Sequence, residues 1–559
     1  MIRGTKITKL FLILIMILHP IFYFSMYSGD AEIHLVYAEN AAGGHFFEFN
    51  LGEKSAGVTS PGYMLILTSF FKIFPESIVP LAVKLLNILC WYLLLYLVFV
   101  LSRRLIGNGF WAWMVTLIVS LMPGAVYNAT TGMENGIFGA LFLFWLYLVI
   151  RWDWLAVTET KAKRSLILGI LLGILCWIRP EGFVLAILSF TFKALQSLWS
   201  PVGSKRPVLI SLKHILTALI PFLLSTALYF GFLYSETGQF LPTSGISRIG
   251  IGGQESFRIG SLPVNLKFVK YLIYYFPLTI SMILGFRGLL SRKRSGKPPV
   301  VYYAYPAATI IVFIILYSSI LGAHHLSRYM IFLLPVMTMF SGLGAKSVSE
   351  NWNWGRKTRT VVFTASMILL GTLFAGEIYL RYKSGSNYPA GELWRAMKAP
   401  GTRREFSDRM FDELGKPSKL PVSLAYQEVQ IRYRLDQRFI IRSLDGRVDA
   451  TLLNFVDAHG NYDHVGYVKA RNVDFIMETP NYNRETNRWS LKDLTKLKIG
   501  ESISLESLIF TRLRHGFKVG HSQGNYNLYR SRRAGGKSPA PAFTKAFTVS
   551  CRHYCRILS

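Results

Sequence analysis

Ile78–Leu101 reads IVPLAVKLLNILCWYLLLYLVFVL, an almost unbroken apolar run. A helix of that length crosses a hydrocarbon core of ~30 Å. Similar runs fall at 7–27, 110–127, 134–151, 165–178, 182–198, 209–234, 268–290, 299–321, 329–346 and 359–381, those at 165–178 and 182–198 being short. Only 17% of the 559 residues are charged and 51% are hydrophobic, where a soluble domain carries about a quarter charged residues. The chain is therefore read as a polytopic α-helical membrane protein of about 11 spans. Gly62–Phe74 is too short to span and reads as an interfacial or re-entrant helix. Met1–Lys9 is basic and Leu10–Leu18 apolar, with no small-residue cleavage site after them, so a retained first span is expected.

The net charge of +31 comes largely from short loops between apolar runs. Arg3/Lys6/Lys9, Arg103/Arg104, Lys161/Lys163/Arg164, Lys205/Arg206, Arg292/Lys293/Arg294/Lys297 and Arg356/Lys357/Arg359 share one side when Gly62–Phe74 does not span. Basic loops mark the cytoplasmic face, which puts the N-terminus in the cytoplasm. The opposite face collects Gly29–Pro61, Asn128–Glu134, Arg179–Glu181, Ser235–Lys267, His324–Arg328 and everything after about 382.

The transmembrane region is thus placed at 1–381, with 28–61 as its first outer loop. Region 382–530 changes character. Pro421–Leu444 alternates like strands, Val473–Met477 reads as a short strand and Glu501–Arg514 as a helix. Together they make a small extracytoplasmic α/β domain. Residues 531–559 read as a basic disordered tail. Cys90 and Cys176 sit inside apolar runs as small hydrophobes. Cys551 and Cys555 flank His553, too few ligands for a zinc site.

Gly29–Pro61 reads GDAEIHLVYAENAAGGHFFEFNLGEKSAGVTSP, acidic and glycine-punctuated in a basic chain. Asp30 and Glu32 lie just past the first span. At i and i+2 they do not share a helix face. Either one suits a general base near a low-dielectric boundary, and either also suits a solvated loop. Arg179-Pro180-Glu181-Gly182 breaks two apolar runs. An arginine at that depth is a site candidate, and its fork suits phosphate. An Arg179–Glu181 pair or snorkelling explains it equally. His324-His325 and Arg328-Tyr329 form an outer turn suited to a lipid phosphate or, with Asp30, a metal. Adjacent histidines also fill unrelated positions. Thr131 reads as the cap of the helix that follows, with Glu134 in its first turn. Arg248, Arg258 and Gly250–Gly253 in the second long outer loop fit a mobile cover or a plain linker.

Phosphate-binding, dinucleotide, zinc-protease and nucleophile-elbow signatures are absent from the sequence. The basic tail lacks interleaved aromatics, which argues against nucleic acid.

The order of these motifs resembles the GT-C superfamily of glycosyltransferases that use polyprenyl-phosphate sugars. More narrowly, it resembles the mycobacterial-type terminal arabinofuranosyltransferases and their uncharacterised relatives. The matching stretches are Asp30, Tyr37-Ala38-Glu39-Asn40, Phe49-Asn50-Leu51-Gly52-Glu53, Gly57-Val58-Thr59-Ser60-Pro61, Thr131-Gly132-Met133-Glu134, Arg179-Pro180-Glu181-Gly182, Leu241-Pro242 and Arg328-Tyr329 before Leu334-Pro335. They span roughly residues 5–345. Ile441–Gly446 adds a weaker match in the outer domain. Gly29 replaces the first of the family's paired aspartates, Val36 replaces an arginine, and Glu32 stands where an aromatic is usual. The resemblance implies Asp30 as base with Glu32 as its substitute. It implies donor-phosphate contacts at Arg179, Arg328, His324 and His325, and substrate contacts at Asn50, Glu53, Thr59, Glu134, Glu181 and Tyr329. It establishes no cofactor, and a divalent metal is not indicated. The implied partners are a polyprenyl-phosphate sugar donor, a glycan, lipid or protein acceptor, and membrane lipids. A lipid-linked glycan transporter or ligase shares the spans and basic outer pockets, though a transporter should show paired broken helices. A non-catalytic scaffold with an outer binding domain is the third class.

Overall fold

The computed structural model describes residues 13–14, 16–21, 23–24, 28–156, 161–198, 206–243, 301–319, 328, 330–352, 401–414, 420–426, 432–433, 435–443, 448, 464–478, 502–505, 508–517 and 526–533, with single positions at 355, 358, 361, 372 and 376. The first outer segment, expected to be a loop, is instead a helix and a hairpin. α1 spans Gly29–Ala42 and ends at Gly43, whose N–H returns to the carbonyls of Glu39 and Asn40. β1 (Glu48–Asn50) and β2 (Glu53–Lys54) pair antiparallel, with Gly52 at φ +80 in the turn between them. α1 owes its order to burial. Ala31, Leu35, Tyr37, Ala38 and Ala41 are all inside the core, which compensates a sequence that reads as irregular.

α2 (Pro61–Ile73) has 13 residues and a proline in its first turn. At 1.5 Å per residue it is about 20 Å long, short of the bilayer core. α3 (Val79–Ile106) has 28 residues and stops at Gly107, which adopts a left-handed φ of +69. α4 (Gly109–Leu121) starts on Asn108, whose side chain accepts from the Phe110 N–H at 2.9 Å. The run expected as one span at 110–127 is bent. α5 (Pro123–Thr130) leaves α4 at 66°, because Pro123 offers no N–H and drives Met122 out of the helical region.

α6 (Asn135–Arg151), α7 (Ala162–Ile178), α8 (Glu181–Leu198), α9 (Arg206–Thr237), α10 (Val301–Ser319), a 3-10 turn at Met330–Phe332 and α11 (Leu334–Asn351) complete the helical part. Trp91, Trp145 and Trp154 lie wholly inside it. By length and composition, Val79–Ile106 and Leu209–Thr237 can cross a membrane, with a third span if the bent pair counts as one; Asn135–Arg151 and Val301–Leu316 are apolar but shorter. The runs expected at 7–27, 268–290 and 359–381 lie wholly or largely outside the described residues.

Among the described residues, the C-terminal region holds α12 (Gly401–Leu414), β3 (Val422–Tyr426), β4 (Phe439–Ser443), α13 (His464–Ala470), β5 (Phe475–Glu478), β6 (Ser502–Leu505), β7 (Leu508–Phe517) and β8 (Tyr526–Arg533). The sheet order is β4-β3-β5-β8-β7-β6. β3 runs parallel to β4 and β5, and the remaining pairs are antiparallel. Two expectations change here. The 501–514 segment forms the β6–β7 hairpin instead of a helix, with Leu505 opposite Leu508. Ser-Ile-Ser-Leu alternates with period two, the strand signature. Ser531–Arg533, expected in a disordered tail, pair with β7; 534–559 lie outside the described residues.

The β1–β2 hairpin docks this sheet onto the helical part. Asn50 Nδ2 donates to the Ile441 carbonyl at 2.9 Å, and its Oδ1 accepts from the Ile441 N–H at 3.0 Å. Arg442 grips Glu53 with both terminal nitrogens, Nη2 to Oε1 at 2.8 Å. The Ser55 hydroxyl donates to the Val448 carbonyl. Asn50 and Glu53, expected to touch substrate, are thus occupied at a domain seam, since their polar atoms satisfy a strand edge that burial would otherwise strand.

Asn50→Ala leaves both Ile441 backbone groups buried without partners. This should cost about 1–3 kcal/mol, seen as a lower melting temperature and earlier proteolytic release of the C-terminal sheet region. Unchanged melting would show that the hairpin does not carry the docking.

Candidate functional site

The site is built on the Thr131–Glu134 turn. Gly132 sits at φ +84, which a side chain resists. The Thr131 carbonyl accepts from the Ser28 N–H at 2.9 Å, just ahead of α1. The Gly132 carbonyl accepts from the Tyr63 hydroxyl of α2 at 2.6 Å. The turn is thereby clamped between α1 and α2. Thr131 does not cap α6 as expected; it closes α5, and Glu134 takes the N-cap position without a capping bond of its own. The reversal at Gly132 separates the two helices and leaves the Glu134 carboxylate for other partners.

Those partners are charged. Arg179 closes α7 in extended conformation, φ −155 and ψ 146. Its Nη1 reaches Glu134 Oε1 at 2.6 Å and also the Asn135 side-chain oxygen. Nη2 donates to Glu181 Oε1 at 2.6 Å and Nε to Glu181 Oε2 at 3.1 Å. The Arg179–Glu181 pair weighed from sequence forms, and Glu134 joins it. All four residues are buried, so the guanidinium faces its own chain's carboxylates, which compensate its charge. Gly182 lets α8 approach α7 closely: a Cβ there would meet the Cys176 nitrogen at 2.5 Å. On the other side of Glu134, His34 Nε2 lies at 3.3 Å, and its ring packs edge-on to Tyr63 at 5.4 Å.

Asp30 lies one helical turn before His34 on α1, so the two share a face. Its carboxylate pairs with Arg328 Nη1, and its side chain keeps 28% of its surface. Glu32, two residues on and so off the shared face of the helix, is 2% exposed. Arg328 also acts electrostatically on Glu134. The structure therefore brings Asp30, Arg328, Glu134, Arg179 and Glu181 into one charged chain at the ends of α1, α6, α7 and α8. Thr59 is half-buried between buried Val58 and Ser60. His324, His325 and Tyr329 lie outside the described residues. Among the described residues no group of three or more His, Cys, Asp or Glu gathers as metal ligands do.

His34 and Asn135 were not singled out from sequence. The signal for His34 is its i+4 spacing from Asp30, legible only once 29–42 is known to be helical. Asn135 directly follows Glu134 and had no separate cue.

Burial pushes the Glu134 carboxyl up, but Arg179, His34 and Arg328 outweigh it and hold it at about 2, against an ordinary 4.5. A lowered folded-state value stabilises above the ordinary pKa. The contribution fades as pH falls from about 4.5 towards 2, and is worth on the order of 3 kcal/mol at neutral pH. Wild type should melt well above Glu134→Gln at pH 6, and the gap should narrow at pH 3. A gap independent of pH would remove the ionic role of Glu134.

No protein-family model matches the chain, and no curated protein matches it in sequence. Among solved structures, the chain is similar to ArnT from Cupriavidus metallidurans bound to undecaprenyl phosphate, with a TM-score of 0.52 and 12% identity over 86% of this chain and 94% of that one. The apo state of the same protein gives 0.49 and 12% over 85% and 94%. Arabinosyltransferase EmbB from Mycobacterium smegmatis gives 0.39 and 12%, over 92% of this chain and 47% of that one. At such identity the ArnT likeness is one of fold.

Proposed function

We propose that this chain transfers a sugar from a polyprenyl-phosphate carrier to an extracytoplasmic glycan, lipid or protein acceptor, with inversion at the anomeric carbon. The observation that carries this reading is the partly exposed Asp30–Arg328 pair on the helix that follows the first apolar run. The shared fold with ArnT, whose structure contains undecaprenyl phosphate, supports a polyprenyl phosphate as the lipid. The basic loops support a cytoplasmic N-terminus and an outward-facing site.

In this reading the donor phosphate competes with Asp30 for Arg328. An arginine fork suits two phosphate oxygens as well as a carboxylate. Capture of the phosphate releases the Asp30 carboxylate beside the anomeric centre. Asp30 then accepts the proton of an acceptor hydroxyl, whose oxygen forms the new bond to the anomeric carbon from the far side. The bond from that carbon to the phosphate oxygen breaks, and the electron pair leaves with the polyprenyl phosphate. Arg328 stabilises the growing negative charge. A phosphate leaves readily, so no strong general acid is needed. Arg179, with its donors committed to Glu134, Glu181 and Asn135, acts as a positioning residue. It fixes Glu134, which holds His34 and hence the face of α1 that carries Asp30. Glu32 is too enclosed to meet an acceptor hydroxyl in this conformation.

The test is transfer of label from a panel of polyprenyl-phosphate sugars to the cell's envelope glycans by purified protein. Asp30→Asn should fall by about 10²–10⁴ in turnover, with donor binding retained. Arg328→Gln should raise the donor KM and lower kcat together, while Glu32→Gln keeps most activity. Near wild-type turnover in folded Asp30→Asn would falsify the base assignment.

A further inference from the structure

At the far end of α1 from Asp30 lies a cavity of about 690 Å³ between that helix and the outer domain. Val36, Glu39 and Asn40 of α1 form one wall. Arg403, Arg404, Arg432, Arg438 and Asp436 contribute to the other. Four arginines thus face two carboxylates. The four are not equivalent. Arg403 is balanced by Glu39 at 2.6 Å and Glu76 at 2.9 Å, and lies over the Tyr433 ring at 4.5 Å. Arg438 is balanced by Asp436 at 2.6 Å and Asp408 at 2.7 Å.

Arg432 differs. It is 7% exposed. Its Nη1 donates to the Leu435 carbonyl at 2.8 Å, while its Nε is buried with no hydrogen-bond partner. Among the described residues no carboxylate lies within ion-pair distance of it. Burial pulls its guanidinium below the usual arginine range; Glu39 and Asp436 oppose that fall and Arg403 adds to it. Arg404 is exposed at the same cavity, again with no side-chain partner among the described residues. A buried guanidinium without a counter-ion is costly, and cavities lined this way are matched to ligands that bring the missing charge.

We infer that this cavity binds an anionic group, a carboxylate or phosphate ester, on the acceptor glycan, held by Arg432 and Arg404. The inference rests on the transferase reading above, which supplies the reason for a glycan. Glu39 is nine residues beyond Asp30, about 14 Å along the helix. A chain of several sugars bridges that distance, so the acceptor's charged unit sits in the cavity while its terminal hydroxyl reaches Asp30. The arginine fork reads a planar carboxylate or a phosphate better than a lysine would.

The experiment uses the full chain in detergent, with thermal stability read against glucuronate, glucose 6-phosphate and uncharged glucose. Both charged sugars should raise the melting temperature of wild type, and glucose should not. Arg432→Met should fold, since it puts apolar volume in place of a buried charge that has no ion-paired carboxylate among the described residues. It should need at least tenfold more charged sugar for the same shift. Arg404→Gln, at an exposed position, should weaken the response without changing basal stability. Equal responses in wild type and both variants overturn the assignment. So does stabilisation by glucose, or by phosphatidylglycerol nanodiscs alone, which would make the occupant a lipid headgroup. Binding of polyprenyl phosphate is measured alongside. If the lipid binds and no charged sugar does, this inference fails and the transferase reading stands. If the lipid does not bind wild type, the transferase reading itself fails.

Discussion

A guanidinium at the end of an apolar helix sets the terms for the rest of this molecule. Arg179 sits where α7 stops, buried among apolar helices. A lone cation there is unstable, so the chain must bring carboxylates to it. Pro180 ends the helix and places Glu181 within two residues, which satisfies one side of the fork. The other side needs a carboxylate from elsewhere in the chain. Glu134, 45 residues earlier, meets that need. The α5–α6 turn, the Ser28 and Tyr63 contacts that clamp it, and the close approach of α8 at Gly182 all serve to hold these groups together. Because removing one partner leaves the others buried and charged, the cluster is rigid by necessity.

That rigidity divides the charges into two kinds. Arg179 and its partners are closed to solvent and mutually compensated. Asp30 and Arg328 compensate each other but remain partly open. In the transferase reading proposed above, the donor phosphate exchanges with Asp30 at this partly open pair, whereas displacing Glu134 or Glu181 from Arg179 would leave a buried charge unpaired. The fixed cluster anchors α1 through His34, and the exchangeable pair sits one helical turn away on the same face.

Much of the helical part is legible in the sequence because apolar runs and their breaks report directly on burial. The runs 182–198 and 78–101 fall close to α8 and α3, and the Arg179–Gly182 break is visible as such. What is not legible has a common cause: it depends on partners far along the chain. The Gly29–Ala42 segment looks irregular because its acids and flanking glycines mask a helix that exists by tertiary burial. Asn50 and Glu53 look like site residues because a short polar hairpin carries no sign that Ile441 and Arg442, some 390 positions on, will take them. Glu134 reads as a helix-end acid because that local explanation suffices until Arg179 is placed beside it. The 501–514 segment reads as helical when taken as one run, but it is divided between β6 and β7, whose pairing partners set its conformation.

α1 is the element where the two halves of the protein meet. Its first turn holds Asp30 against Arg328, and its last holds Glu39 against Arg403 of the outer domain. The β1–β2 hairpin that follows is fastened to β4 by Asn50 and Glu53. A buried helix tied at both ends transmits position along its axis with little loss, since its backbone hydrogen bonds resist stretching. The C-terminal sheet region is registered to the helical part through this 14-residue helix and the hairpin that follows it, and a cavity between them opens beside the same helix. In the acceptor reading proposed above, a group bound in that cavity lies about nine helical residues from Asp30, so the spacing between the two ends of α1 would act as a ruler on the chain that spans them.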